Sequence, residues 1–109
     1  MFTCDTNLIS VIPDFTPNLE RFSCQDNLLT CLPPKLPAKL TLFNCGKNQI
    51  SVLPLLNKKL YLLNCENNLI EHLPEINESL TYLDCLNNPI VNLPVVGGNL
   101  QNINKTFKL

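Results

Sequence analysis

Five cysteines stand at Cys4, Cys24, Cys45, Cys65 and Cys85, separated by 20, 21, 20 and 20 residues. A fixed period of this length means one supersecondary unit per period, and a single unit is too small to bury its own apolar face. Neighbouring units must stack on one another to make a core. Columns around each cysteine recur with it. Three residues later comes Asn7, Asn27, Asn48, Asn68 or Asn88. Two further on is Ile9, Leu29, Ile50, Ile70 or Ile90, and then a step into proline at Ile12-Pro13, Leu32-Pro33, Leu53-Pro54, Leu73-Pro74 and Leu93-Pro94. Two residues before each cysteine stands Phe2, Phe22, Phe43, Leu63 or Leu83, and five before, from the second unit on, Leu19, Leu40, Leu60 or Leu80. The unit is L-x-x-[LF]-x-C-x-x-N-x-[IL]-x-x-L-P.

Each column has a physical task. The stretch x-[LF]-x-C-x alternates apolar and polar, which predicts a short strand with one buried face. One strand per unit predicts a parallel sheet along one side. The asparagine falls where the chain leaves the strand, and its amide can donate and accept at once. The expected result is a ladder tying each unit to backbone groups of its neighbour. Proline fixes φ and restricts the residue before it, so the return limb should be extended. About seven residues remain before the next unit, too few for a stable helix with its loops. The return limb is therefore expected to be extended or short 3-10, with little or no helix.

With these columns in hand, the unit resembles the short leucine-rich repeats of bacterial type III secreted effectors, which carry Leu-Pro on the outer limb. Leu32-Pro33 followed by Leu36-Pro37 matches the doubled Leu-Pro of that type. The cysteine column, with a bias towards Asn, Lys and Ile, is also similar to repeat proteins of large DNA viruses of amoebae. The resemblance implies a β-rich, right-handed leucine-rich-repeat solenoid, in the α/β class, and carries no activity with it. Residues 1–109 then form a single domain of about five repeats with boundaries near 18, 39, 59, 79 and 99. A closing half-repeat is expected from Leu100 and Ile103, with Lys105 in the cysteine column and Lys108 in the asparagine column. Effectors of that type often add a helical cap or a ubiquitin-ligase domain, for which 109 residues of repeats are expected to leave no room.

Charge narrows the function classes. The net charge is −1 with only 16% charged residues, so the basic stripe of a phosphate-tracking surface is not expected. Lys35, Lys39, Lys58 and Lys59 are the best basic cluster, on the outer linkers near Glu75 and Glu78. Nucleic acid is not an expected partner, nor is a membrane, because every apolar stretch is short and broken by Pro, Asn or Lys. Met1 to Ser10 lack a basic region followed by an apolar run, so an intracellular, reducing compartment is expected, such as the cytoplasm, that of an infected host cell included. In that setting Asn77-Glu78-Ser79 and Asn104-Lys105-Thr106 should stay unglycosylated.

Six cysteines raise the question of disulfides and zinc. Five occupy an inward strand column, where in-register side chains ~4.8 Å apart point the same way and do not converge as a disulfide requires. No C-x-x-C pair suggests zinc. They read as small apolar fillers. Cys31 lies in a different column with Val11, Val52, His72 and Asn92, and is the one candidate reactive thiol. His72 stands between Val52 and Asn92 in that column and reads as a surface histidine. Gly97-Gly98 reads as a turn, since no helix follows it. No nucleophile, base and orienting group cluster, so neither an enzyme nor a cofactor or metal site is expected.

Function then rests on the outward strand residues. Their first column is Met1, Arg21, Leu42, Leu62, Tyr82 and Asn102; the second is Thr3, Ser23, Asn44, Asn64, Asp84 and Asn104; the third is Asp5, Gln25, Gly46, Glu66, Leu86 and Thr106. Leu42, Leu62, Tyr82 and Leu86, rimmed by Arg21, Glu66 and Asp84, are the expected contact patch for a protein partner. Repeat arrays also need polar ends. Lys105 would blunt one end as an inward charge, but Phe2, Ile9, Ile12 and Phe15 leave the other uncovered. Self-association through that first unit, as a homodimer, is the alternative expectation.

Overall fold

The computed structural model describes residues 2–12, 14–91 and 106–108. Among these residues there is no helix. Six short strands, β1 (Phe2–Thr3), β2 (Arg21–Ser23), β3 (Leu42–Asn44), β4 (Leu62–Asn64), β5 (Tyr82–Asp84) and β6 (Thr106–Lys108), form one sheet. Their spatial order is their sequence order, and every pair is parallel. Parallel neighbours need a crossover, and here the four crossovers from β1 to β5 are the remainders of repeat units, with no helix among their described residues.

The repeated columns fall in register. Phe2 is opposite Phe22, Phe22 opposite Phe43, Phe43 opposite Leu63 and Leu63 opposite Leu83. Phe43, Leu63 and Leu83 are completely buried, as are Cys24, Cys45 and Cys65. Leu29, Ile50 and Ile70 close the core from the other side of the asparagine. Where phenylalanines stack they form one aromatic cluster: Phe2 lies flat against Phe22 at 5.4 Å, and Phe15 meets Phe22 edge-on at 5.1 Å.

A further core column lies on the return limb, four residues before each of Leu19, Leu40, Leu60 and Leu80. It comprises Phe15, Leu36, Leu56 and Ile76, with Ile76 fully buried. After each member a tight turn reverses the chain, with Leu19, Leu40, Leu60 and Leu80 donating to the carbonyls of Thr16, Pro37, Asn57 and Asn77. The rest of the limb is extended or bent, with no 3-10 helix among the described residues. Lys35 and Leu55 form a parallel bridge there, so neighbouring units also touch on the side away from the sheet.

The expected asparagine ladder is present. Asn48 Nδ2 donates to Cys24 O, Cys45 O and Gly46 O, each at 3.1 Å, and Asn48 Oδ1 accepts from Leu29 N at 3.0 Å. Asn27, Asn68 and Asn88 repeat this set on their own neighbours. One residue before each asparagine the backbone is left-handed, at Thr6, Asp26, Lys47, Asn67 and Asn87, with φ between 54° and 61°. That bend turns two consecutive amides to the same side, which a regular strand does not do.

The last unit departs from the expected register. Thr106 is opposite Tyr82, Phe107 opposite Leu83 and Lys108 opposite Asp84. The sixth strand therefore follows the fifth by 24 residues, not 20, and Ile103 is not the counterpart of Leu83. Thr106 sits in the first column, not the third, and Lys108 in the second, not the asparagine column. The register places Phe107 opposite Leu83 in the column of Phe22, Phe43 and Leu63. Lys105, expected as an inward blunting charge, lies outside the described residues, as do Leu100, Ile103 and Gly97-Gly98.

Candidate contact surfaces

The outward sheet face is built from the three columns, but they do not contribute alike. The middle column bonds to its own surroundings. Asn44, Asn64 and Asp84 each accept, through Oδ1, the amide two residues on, at Gly46, Glu66 and Leu86. Asn44 Nδ2 also donates to Gln25 Oε1 at 2.7 Å, and Ser23 Oγ donates to Asp5 Oδ1 at 2.6 Å. Ser23 and Asp84 are buried, Asp84 at 6% exposure. This corrects the expectation that Asp84 rims the face as an exposed charge. Its carboxylate folds back onto the Leu86 amide instead of reaching outward.

The remaining predicted contact residues keep some surface. Leu42, Leu62, Tyr82 and Glu66 are half-buried, while Arg21 and Leu86 are exposed. Leu42, Leu62 and Tyr82 lie on three adjacent strands, directly in register. Gly46 contributes space. A Cβ there would approach Glu66 Cγ to 3.2 Å and the Asn44 and Asn64 amide oxygens to 3.4 Å, so a larger residue would displace the Glu66 side chain.

The first unit carries a second surface. Phe2, Ile9, Ile12 and Phe15, the predicted self-association residues, come together around an apolar hollow of about 320 Å³ with Cys4 and Phe22. Phe2 is 55% exposed. Around the hollow Phe2 is exposed and Cys4 and Ile9 are half-buried, whereas their counterparts Phe22, Cys24 and Leu29 in the next unit are buried.

Sequence reasoning missed a third apolar region. Leu8, at 83% exposure, Leu28 and Leu69 follow the ladder asparagines, and Val11, Val52 and Leu55 stand exposed on the return limb. An aliphatic residue directly after the asparagine in Leu8, Leu28 and Leu69 was the available signal. Cys31 and His72 are exposed on the same limb. Lys35, Lys39, Lys58 and Lys59 are exposed on the outer linkers.

Three of the inward thiols, Cys24, Cys45 and Cys65, are held neutral, while the hydrogen bond with Cys65 lowers Cys85. Burial pushes Cys45 up to about 12, and burial together with the neighbouring Cys45 and Cys4 pushes Cys24 up as well. A hydrogen bond to Cys85 and burial push Cys65 up. Thiols held neutral are poor nucleophiles and poor metal ligands. No group of three or more His, Cys, Asp or Glu among the described residues is placed to hold a metal ion. No helix among them is long and apolar enough to cross a membrane. No protein-family model matches the chain, and a search of curated proteins finds no match.

Proposed function

We propose that the chain is a right-handed leucine-rich-repeat solenoid acting as a non-enzymatic protein-interaction module, which engages a protein partner through its sheet face. The observation that carries this reading is the alignment of Leu42, Leu62 and Tyr82 on β3, β4 and β5. Leu86, Arg21 and Glu66 flank them and complete the contact surface, with the Asp84 carboxylate holding the Leu86 amide beside them. The ladder below holds these positions rigid, so a partner would meet a preformed surface with little ordering entropy left to lose. The test is recovery of protein partners by the native chain and by a Leu62→Asp, Tyr82→Ala double variant with an unchanged circular dichroism spectrum. A partner held by the native chain and released by the variant supports the reading. Equal recovery by both removes this face from consideration.

A second reading is a self-assembling structural protein whose copies meet through the first unit. The apolar hollow lined by Phe2, Ile9, Ile12 and Phe15 favours it. Sedimentation at increasing concentration should then show a homodimer or larger species that Phe2→Asp dissociates and the Leu62→Asp, Tyr82→Ala variant does not. A monomer throughout the micromolar range counts against this second reading.

A further inference from the structure

We propose that Asn64 and Glu66 together receive the carboxamide of an asparagine or glutamine side chain carried by the protein partner. The proposal rests on reading the sheet face as a contact surface and names a group that the partner brings to it. Its basis is a diagonal bond between units that recurs along the face and then breaks.

The diagonal bond runs from the middle column of one unit to the third column of the unit before. Ser23 Oγ donates to Asp5 Oδ1 at 2.6 Å, and Asn44 Nδ2 donates to Gln25 Oε1 at 2.7 Å. The next donor in the series is Asn64, and its acceptor would stand at position 46, which is glycine. The donor after that would stand at position 84, where an aspartate faces the acceptor column at Glu66 and has no proton to give its carboxylate. The series therefore leaves a donor without an acceptor at Asn64 and an acceptor without a donor at Glu66. Among the described residues Asn64 Nδ2 donates to nothing, and the Glu66 carboxylate pairs with no donor or cation, Lys47 included.

The two free groups lie side by side. Asn64 Oδ1 accepts the Glu66 amide at 3.0 Å, which fixes which end of the side chain is oxygen and leaves Nδ2 pointing elsewhere. Asp84 accepts the Leu86 amide in the same way, so the atom in that position has to be an acceptor. The point where a Gly46 Cβ would stand is 3.2 Å from Glu66 Cγ and 3.4 Å from Asn64 Oδ1, so both side chains border the same bare stretch of backbone. Asn64 and Glu66 are half-buried over a buried Gly46, and an incoming group reaches them from the solvent side.

Charge and bonding select the occupant. A carboxylate would take the Asn64 donor but meet Glu66, and Asp84 on the next strand, as like charges. An ammonium or guanidinium would pair with Glu66 and turn a donor-only group towards the Asn64 N–H. A carboxamide serves both in one planar group: its oxygen accepts from Asn64 Nδ2 and its NH2 donates to the Glu66 carboxylate. Half of this arrangement is already present one unit earlier, where the Gln25 side-chain carbonyl serves Asn44. At position 46 the chain supplies no such side chain, and the partner's takes its place.

The test selects a displayed library of random peptides on the immobilised full-length chain and titrates the recovered peptides into the isotope-labelled chain by NMR. Recovered peptides should share an asparagine or glutamine, and replacing it by alanine or by the matching acid should weaken binding at least tenfold. The side-chain amide protons of Asn64 should shift on binding. Asn64→Asp keeps the acceptor for the Glu66 amide, as Asp84 does for Leu86, but loses the donor, and should weaken binding at least tenfold. Asn44→Asp adds the same charge to the same face and should weaken binding less than threefold. No recovered peptide, peptides with no need of a carboxamide, or equal binding by Asn64→Asp overturns the proposal. Equal losses in the two aspartate variants trace the effect to charge and overturn it as well. Peptides released by the Leu62→Asp, Tyr82→Ala variant but not by Asn64→Asp leave the sheet-face reading standing and overturn this proposal alone. Carboxamide-dependent peptides that the double variant still holds uphold the site and remove the apolar stripe from the contact.

Discussion

Asn48 concentrates more of the fold in one side chain than any apolar residue does. Its amide joins two units through four hydrogen bonds, and it is buried where water cannot replace them. Each buried group left without a partner costs roughly 1–3 kcal/mol. Asn48→Leu should therefore lower stability to urea by about 3 kcal/mol or more, and Asn48→Asp, which preserves size but loses the donors, should be no better. Asn7→Leu, on an exposed residue, should do far less. The thiols give a pH dependence of definite sign. Cys24, Cys45 and Cys65 have folded-state values raised above the ordinary value near 9, so their stabilising effect is complete below it and is lost as pH rises through the folded values. The urea midpoint should hold from about pH 7 to 8.5 and fall beyond pH ~9, the unfolded thiol range. In the native state a thiol reagent should modify the exposed Cys31 first and leave Cys24, Cys45 and Cys65 until the chain unfolds. The asparagine and cysteine roles were legible in the sequence because each recurs at a fixed offset. The burial of Asp84 was not: alternation along a strand says which way a side chain leaves the backbone, not that a carboxylate will fold back onto an amide two residues later.

The strands are only two or three residues long, so most of each unit's holding power lies elsewhere. The return-limb column supplies part of it. Ile76 is as fully buried as Leu63 in the sheet. Ile76→Ala should thus cost about 2–4 kcal/mol, comparable with Leu63→Ala, in the same urea titration. A small effect at Ile76 beside a large one at Leu63 would show that the limb only drapes over the core. This column is present in the sequence four residues before each Leu19-type position, but the prolines around it draw attention to backbone shape and away from burial. The sixth strand was misplaced for a related reason. A period of 20 predicts where a strand should recur only if no residues are inserted, and Leu100 and Ile103 imitate the start of a unit closely enough to hide the four-residue shift to Phe107.

At the scale of the molecule, neighbouring units hold one another, and order along the sheet equals order along the chain. Stability in such an array is a sum over units and their interfaces. The general architecture was legible because five copies of one pattern average out the ambiguity of any single strand. The surfaces were less so: Phe2, expected to be uncovered, is exposed, but the exposed Leu8, Leu28 and Leu69 were missed. The asparagine ladder also has a direction: each amide oxygen anchors the unit before its own, never the one after. Damage at one rung should consequently travel backwards along the polypeptide, so that losing Asn68 frees the Ile50 amide in the preceding unit. The array behaves like a row of shingles, each pinned by the next.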